Sequence, residues 1–394
     1  DEEVILKNVP VLKDVETMIS LLAKLGKRIQ VEEGRMIVRH DPKASLSSRH
    51  EATYDIVKQM RASIVVLGPL VAKYHKATVS LPGGCAFGPR PVDLHIRGLE
   101  QLGAKIAVHH GDIEAKTSGL KGETIDLIGQ FGSSVLATDN VAMAACLAKG
   151  ETTIENAARE PETVDLVNFL IAMGAKIEGA GTSILKIRGV KKLHGCEYTI
   201  IQDRIEAGTF LVAAAVTGGK VRMKYSTPDH LRFVLDLAKE IGIGIEERGE
   251  WLTVKGKKPS SYKGFSITTM PYPQFPTDLQ SLFMVLGMLS SGISKISEGI
   301  YPNRWNHAPE LVRMGADIRV ENEMAIMTGV KALEGASVQA SDLRAGAALV
   351  VAALAASGKT EVRRIYHVDR GYEALPEKLR ALGANIQVAR DSLL

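Results

Sequence analysis

The chain has 394 residues, 45% of them apolar and 24% charged, with a formal net charge of +4. That length exceeds what one hydrophobic core normally organises, so two domains of about 200 residues each are expected. The balance excludes disorder, a membrane span and a nucleic-acid partner, because no long apolar run, dense Lys/Arg block or aromatic platform occurs. The three cysteines, Cys85, Cys146 and Cys196, form no disulfide framework, and the whole predicts a soluble, cytoplasmic-type α/β enzyme.

In chain order, Asp1 to Val9 reads as a strand, and a helix-like run then ends at Gly26 before the strand KRIQV. The same run-glycine-strand pattern recurs at Gly103, Gly174, Gly242, Gly315 and Gly383, about 70 residues apart each time. An apolar residue before each glycine faces the core, and glycine permits the left-handed cap that ends a helix. A second helix, rich in small residues, precedes four of these clearly: VAMAACLAKG, GTFLVAAAVTGG, LFMVLGMLSSG and ALVVAALAASG, with SIVVLGPLVAKYHK more divergent. Such helices lack a strongly polar face and predict close packing inside a lobe. Each unit is expected to run strand, helix, strand, helix, strand, strand. Three units per lobe place the crossover near Ile201, with residues 1–201 and 202–394 as the two lobes and a cleft between them as the place for chemistry.

Asp1 to Val9 matches the strand that follows a small-residue helix elsewhere, so the chain opens halfway through a unit. An upstream segment carrying that helix is therefore expected, a natural short variant being the alternative.

Three local signals have no core-packing explanation. Leu81 to Gly98, LPGGCAFGPRPVDLHIRG, is a shaped loop with Cys85 among glycines and Arg90 five residues on. A cysteine beside a cation can serve as nucleophile or proton donor. The second signal is a set of arginines at unit boundaries: Arg61, Arg204, Arg304, Arg344 and Arg370. Those preceding small-residue helices lie where free N–H groups and the helix dipole favour an anion. The third is Asp278 in PQFPTDLQ, which reads equally as a capping carboxylate or as a catalytic one at a helix start. No HExxH, CxxC or phosphate-binding GxxxxGK[ST] pattern occurs.

These motifs, with ENAAREPETVDLVNFL, SDLRAGAALV and IYHVDRGYE, resemble the enolpyruvyl transferases, and among them the UDP-N-acetylglucosamine 1-carboxyvinyltransferase family, over the whole chain. The resemblance implies two similar inside-out α/β barrel domains, each of three βαβαββ units. It implies transfer of the enolpyruvyl group of phosphoenolpyruvate to the 3-hydroxyl of UDP-N-acetylglucosamine, opening peptidoglycan precursor synthesis, with no metal or organic cofactor. Cys85 would attach to phosphoenolpyruvate and protonate its methylene carbon, and would be the atom alkylated by the epoxide fosfomycin. Arg61, Arg90, Arg344 and Arg370 would hold its phosphate and carboxylate. Asp278 would act as base toward the sugar hydroxyl, Asp342 would take part in the chemistry, and Arg304 would stand near the reacting centre. Pro91, Val92, Asp93 and Leu94 would line the uridine with His95 nearby, Ile300 would touch substrate, and Lys13 would help close the lobes. Leu136 and Pro302 stand where the family usually has glycine and glutamate. A Lys-Asn pair is implied upstream of Asp1, so the sequence without it is expected to be inactive or badly crippled. A different hydroxyl acceptor and an inactive homologue remain as alternatives, and the oligomeric state stays open.

Overall fold

The computed structural model describes residues 2–44, 49–81 and 92–389. The chain divides into two compact units, Asp1–Ile201 and Gln202–Leu394. Within the first, three four-stranded mixed sheets repeat one pairing pattern. In one of them Lys76–Ser80 pairs parallel with Glu51–Ala52 and antiparallel with Asp112–Lys116, which in turn pairs with Lys105–His109. Along the chain this sheet alternates with two helices, Leu67–Tyr74 and Asp93–Gln101. Glu197–Thr199, the last strand of the unit, returns to lie parallel to Val4–Lys7, the first. Side chains alternate as a half-buried sheet requires: Leu185 and Ile187 point inward from Ile184–Arg188 while their neighbours are exposed.

The second unit carries a three-stranded sheet, a four-stranded sheet and two short parallel pairs. Three helices, Arg204–Thr217, Gln280–Leu289 and Leu343–Ala355, pack pairwise against one another. Every residue of Gln280–Leu289 is buried, and Phe275 meets Phe283 edge-on at 4.8 Å between ring centroids. In the first unit Leu67–Tyr74 packs on Val135–Ala145 so closely that a Cβ on Gly68 would lie 2.2 Å from the Asn140 carbonyl oxygen. The small residues permit that approach. All six glycines that end the repeated helices have positive φ, from 83° to 112°.

The expected barrels are not there. Among the described residues each sheet ends in edge strands with a neighbour on one side only, so none of them closes on itself. The reason lies in the helices. A helix buried on all sides, such as Gln280–Leu289, needs apolar surface all round it. Separate small sheets, each offering one apolar face, provide that without continuous pairing. The architecture is two α/β units of open mixed sheets around interior helices. Among the described residues no helix is long and apolar enough to cross a membrane.

Candidate active site

The second unit gathers most of the arginines named from the sequence. Strand Ser266–Thr269 leads into a loop that ends in the single turn Thr277–Leu279, immediately before the helix Gln280–Leu289. Asp278 sits in that turn but caps nothing. Its Oδ1 accepts a hydrogen bond from Arg304 Nη2 at 2.8 Å, and its Oδ2 faces Arg344 Nη2 at 3.5 Å. Of the two sequence readings, the geometry speaks against the helix cap and puts Asp278 among guanidinium groups. Burial alone would push the Asp278 carboxyl up. The charges of Arg344 and Arg304, the Arg304 hydrogen bond and the charge of Arg204 outweigh it and hold the group well below the usual carboxylate range.

The three guanidinium groups are themselves seated. Arg204 and Arg304 are 8% and 5% exposed, too little for either to swing freely into water. Each of the three lies over a tyrosine ring: Arg204 on Tyr272 at 5.7 Å, Arg304 on Tyr301 at 5.7 Å, and Arg344 on Tyr372 at 5.6 Å. Arg304 also donates from Nη1 to Thr277 Oγ1 at 2.9 Å. The Thr277 hydroxyl donates onward to Glu298 Oε2, also at 2.9 Å.

Asp342 occupies a different position from Asp278. It is the N-cap of Leu343–Ala355, accepting from the backbone N–H groups of Arg344 and Ala345 at 2.9 and 3.0 Å. Asp203 caps Arg204–Thr217 in the same manner. The buried His307 ring places Nε2 3.0 Å from Met284 Sδ, and since sulfur only accepts, the proton resides on Nε2. Burial lowers the His307 pKa to about 4, Asp342 opposing and Arg304 adding to the shift. Arg370 closes the turn Ile365–Arg370; after burial and Arg364, its charge helps hold the His367 imidazole below its usual range, with Asp342 opposing. The backbone N–H of Ile300 donates to Glu298.

The first unit brings together a smaller set. Arg61 opens the turn Arg61–Val66, Val92 precedes the helix Asp93–Gln101, and Asp93 is exposed at its first position. Leu94 and His95 are buried behind it. Asn140 of Val135–Ala145 accepts from Gly68 N at 2.6 Å through Oδ1. Its amide nitrogen is thereby free to donate to Ile64 O at 3.2 Å and to His95 Nδ1 at 2.9 Å. The His95 proton then stands on Nε2. Burial, with Arg61 adding and Asp93 opposing, lowers the His95 pKa to about 4.

Lys13 is exposed at the start of Lys13–Lys24 and pairs with Glu16 at 2.7 Å. Leu136 packs against the core near the start of its helix, where Ser134 Oγ accepts from Ala137 N at 3.3 Å. Cys85, Arg90 and Pro91 lie outside the described residues. Among those described, no group of three or more His, Cys, Asp or Glu is placed to hold a metal ion. Sequence reasoning missed Thr277, Glu298 and Asn140. Thr277 is the neighbour of Asp278 in FPTDLQ, but no local pattern marks the other two.

The family described as EPSP synthase (3-phosphoshikimate 1-carboxyvinyltransferase) matches residues 1–379. A UDP-N-acetylglucosamine 1-carboxyvinyltransferase 1 from Caldanaerobacter subterraneus is 51% identical over 98% of this chain and 90% of its own length. The UDP-N-acetylglucosamine 1-carboxyvinyltransferase of Pseudoalteromonas atlantica is 52% identical over 96% of this chain and 89% of its own. Among solved structures, the enolpyruvyl transferase NikO from Streptomyces tendae superposes with a TM-score of 0.87 at 25% identity, over 98% of this chain and 90% of that one. EPSP synthase from Acinetobacter baumannii, 19% identical, shares the fold with a TM-score of 0.74 over 99% of this chain and 92% of its own. The chain belongs to the enolpyruvyl transferases, and within them to the UDP-N-acetylglucosamine 1-carboxyvinyltransferase family.

Proposed function

We propose that this protein transfers the enolpyruvyl group of phosphoenolpyruvate to the 3-hydroxyl of UDP-N-acetylglucosamine and releases phosphate, as a step of peptidoglycan precursor synthesis. Half-identity along nearly the whole length of such transferases carries the reading. The arrangement around Asp278 supports it chemically. In the addition, the sugar oxygen bonds to C2 of phosphoenolpyruvate while C3 takes a proton. In the elimination, that C3 proton is lost and the C–O bond to phosphate breaks. Positive charge develops at C2, and an ionised carboxylate beside it is the stabilising group required. Arg304, Arg344 and Arg204 supply guanidinium groups suited to the two anionic ends of phosphoenolpyruvate.

The present grip makes Asp278 a weak base. Substrate anions that share Arg344 and Arg304 would draw their charge away from the carboxylate and raise its basicity, linking binding to deprotonation of the acceptor. In this reading Cys85 protonates C3, and Arg61, Arg90, Arg344 and Arg370 hold phosphoenolpyruvate. Val92, Asp93, Leu94 and the neutral His95 face the nucleotide sugar with Pro91 and Ile300, and Lys13 acts in closure. Asp342 supports the chemistry by fixing the helix start that presents Arg344. Substrates this highly charged do not cross membranes unaided, which supports a cytoplasmic place of action.

The test is phosphate release by full-length protein given phosphoenolpyruvate with a series of hydroxyl acceptors. Release confined to UDP-N-acetylglucosamine is expected, and equal release with unrelated acceptors would remove the assignment. Fosfomycin is expected to add its mass at Cys85, and its appearance on Cys146 or Cys196 instead would displace Cys85 from the chemistry.

A further inference from the structure

Glu298 ends strand Ile293–Glu298 and is 1% exposed. Its register partner on the adjacent parallel strand is Thr269, also at a strand end. Oε1 accepts from Thr269 Oγ1 at 2.6 Å and from the backbone N–H groups of Ile300 and Tyr301 at 2.9 and 3.0 Å. Oε2 accepts from Thr277 Oγ1 at 2.9 Å. All four partners donate.

The direction of the last bond matters. A hydroxyl has one proton, and Thr277 gives it to Glu298, so its lone pairs are what Arg304 Nη1 meets at 2.9 Å. The other end of the same guanidinium, Nη2, donates to Asp278. Thr277 and Asp278, consecutive in sequence, thus take the two prongs of one fork. Tyr301, whose N–H is bound by Glu298, has the Arg304 Cζ over its ring at 5.7 Å from the centroid. Glu298 therefore reaches Arg304 by two routes, through the Thr277 hydroxyl and through the Tyr301 ring.

We propose that Glu298 is a positioning residue for the transfer reaction, acting through Thr277 and Tyr301 to set where the Arg304 guanidinium stands against Asp278. This rests on the reading that Asp278 and Arg304 act on the substrates. Loss of the link removes the acceptor that holds one prong of the guanidinium, and a displacement of about 1 Å at a reacting centre costs up to about a hundredfold in rate.

Thr277→Val removes the hydroxyl at nearly constant shape, and Thr277→Ser keeps it. In full-length protein with phosphoenolpyruvate and UDP-N-acetylglucosamine, Thr277→Val is expected to lower kcat about ten- to a hundredfold while both KM values move less than about threefold. Thr277→Ser should restore most of kcat, which a purely structural role for the methyl group would not produce. Glu298→Gln, assayed in parallel, should lower kcat in the same direction, and it decides the matter if Thr277→Val does not fold. Asp278→Asn separates the two layers of argument. If it turns over normally, the underlying reading fails. If it is inactive while Thr277→Val and Glu298→Gln keep wild-type kcat, the reading stands and the positioning role is overturned.

Discussion

Two polar junctions, one in each unit, tie their elements together with opposite chemistry. In the first unit Asn140 ties His95, Ile64 and Gly68 together without any net charge. In the second, the Asp278 carboxylate is held by the charges of Arg344, Arg304 and Arg204. A neutral amide fixes geometry and asks nothing of a ligand, since each of its atoms already has a partner. A carboxylate gripped by guanidinium groups sits among charges that an anion can share. The contrast says that the first unit presents a rigid, preset surface and the second an electrostatic one.

The largest effect that tests this contrast is on rate. Asp278→Asn should lower kcat by about 10²–10⁴-fold, the range for one acid–base or charge-stabilising group, while substrate binding persists. Retained binding, checked by calorimetry, is the essential part. Loss of binding would make Asp278 a structural counterion rather than a group acting on the reaction. The matching change in the first unit is Asn140→Ala, which strands three buried partners at once. It should destabilise the protein by about 3 kcal/mol or more in denaturant titrations, at about 1–3 kcal/mol per unsatisfied group less what relaxation recovers. A near-neutral result would mean that the junction is not rigid and that the contrast is overdrawn.

How much of this was legible in the sequence depends on how far apart the interacting residues lie. The glycines that end the repeated helices announce themselves, because a left-handed cap is a local property, and all six carry positive φ. The small-residue helices were equally visible from composition. Barrel closure was not, since strand periodicity says which face is buried and nothing about whether two edges meet. Asp278 was half legible: its place before a helix was plain, but only the tertiary approach of Arg304 and Arg344 shows that it caps nothing. Asn140 reaches a glycine 72 residues away and Glu298 a threonine 21 residues away, and no spacing rule connects them.

A smaller effect concerns pH. His307 in the second unit has its pKa lowered to about 4, chiefly by burial. A depressed histidine contributes stability above its unfolded value near 6.5 and loses it as pH falls toward 4. His95 in the first unit, lowered to about 4 by burial and Arg61 against Asp93, behaves alike. But the first unit also holds Asp139, whose pKa is raised to about 7 by burial, against the pull of Thr163, with Glu160 and Glu162 adding. A raised carboxyl contributes stability that is full below about 4 and is lost as pH rises through 7. Between pH 7 and 4.5 the two terms oppose each other in the first unit, and in the second Glu206, raised by burial against the pull of Lys378, opposes His307 in the same sense. Asp139→Asn should raise the melting temperature at pH 8 and leave it unchanged near pH 4. A gain that is equal at both values would mean that Asp139 is not the opposing group.

The smallest effect concerns a thiol. Cys146 is buried in the first unit beside the helix that carries Asn140, and its Sγ donates to Ala142 O at 3.3 Å. Burial pushes its pKa up to about 12. At pH 8 its thiolate fraction is then about one part in 10⁴, and only the thiolate attacks an electrophile. Iodoacetamide should therefore leave Cys146 unmodified in native protein over hours and label it within minutes in denaturant. Cys196, half-buried and raised less far, should fall between the two. Rapid native labelling of Cys146 would show that the helices around Asn140 open readily. The first unit would then lose the rigidity that sets it against the second, even if Asn140→Ala proved costly.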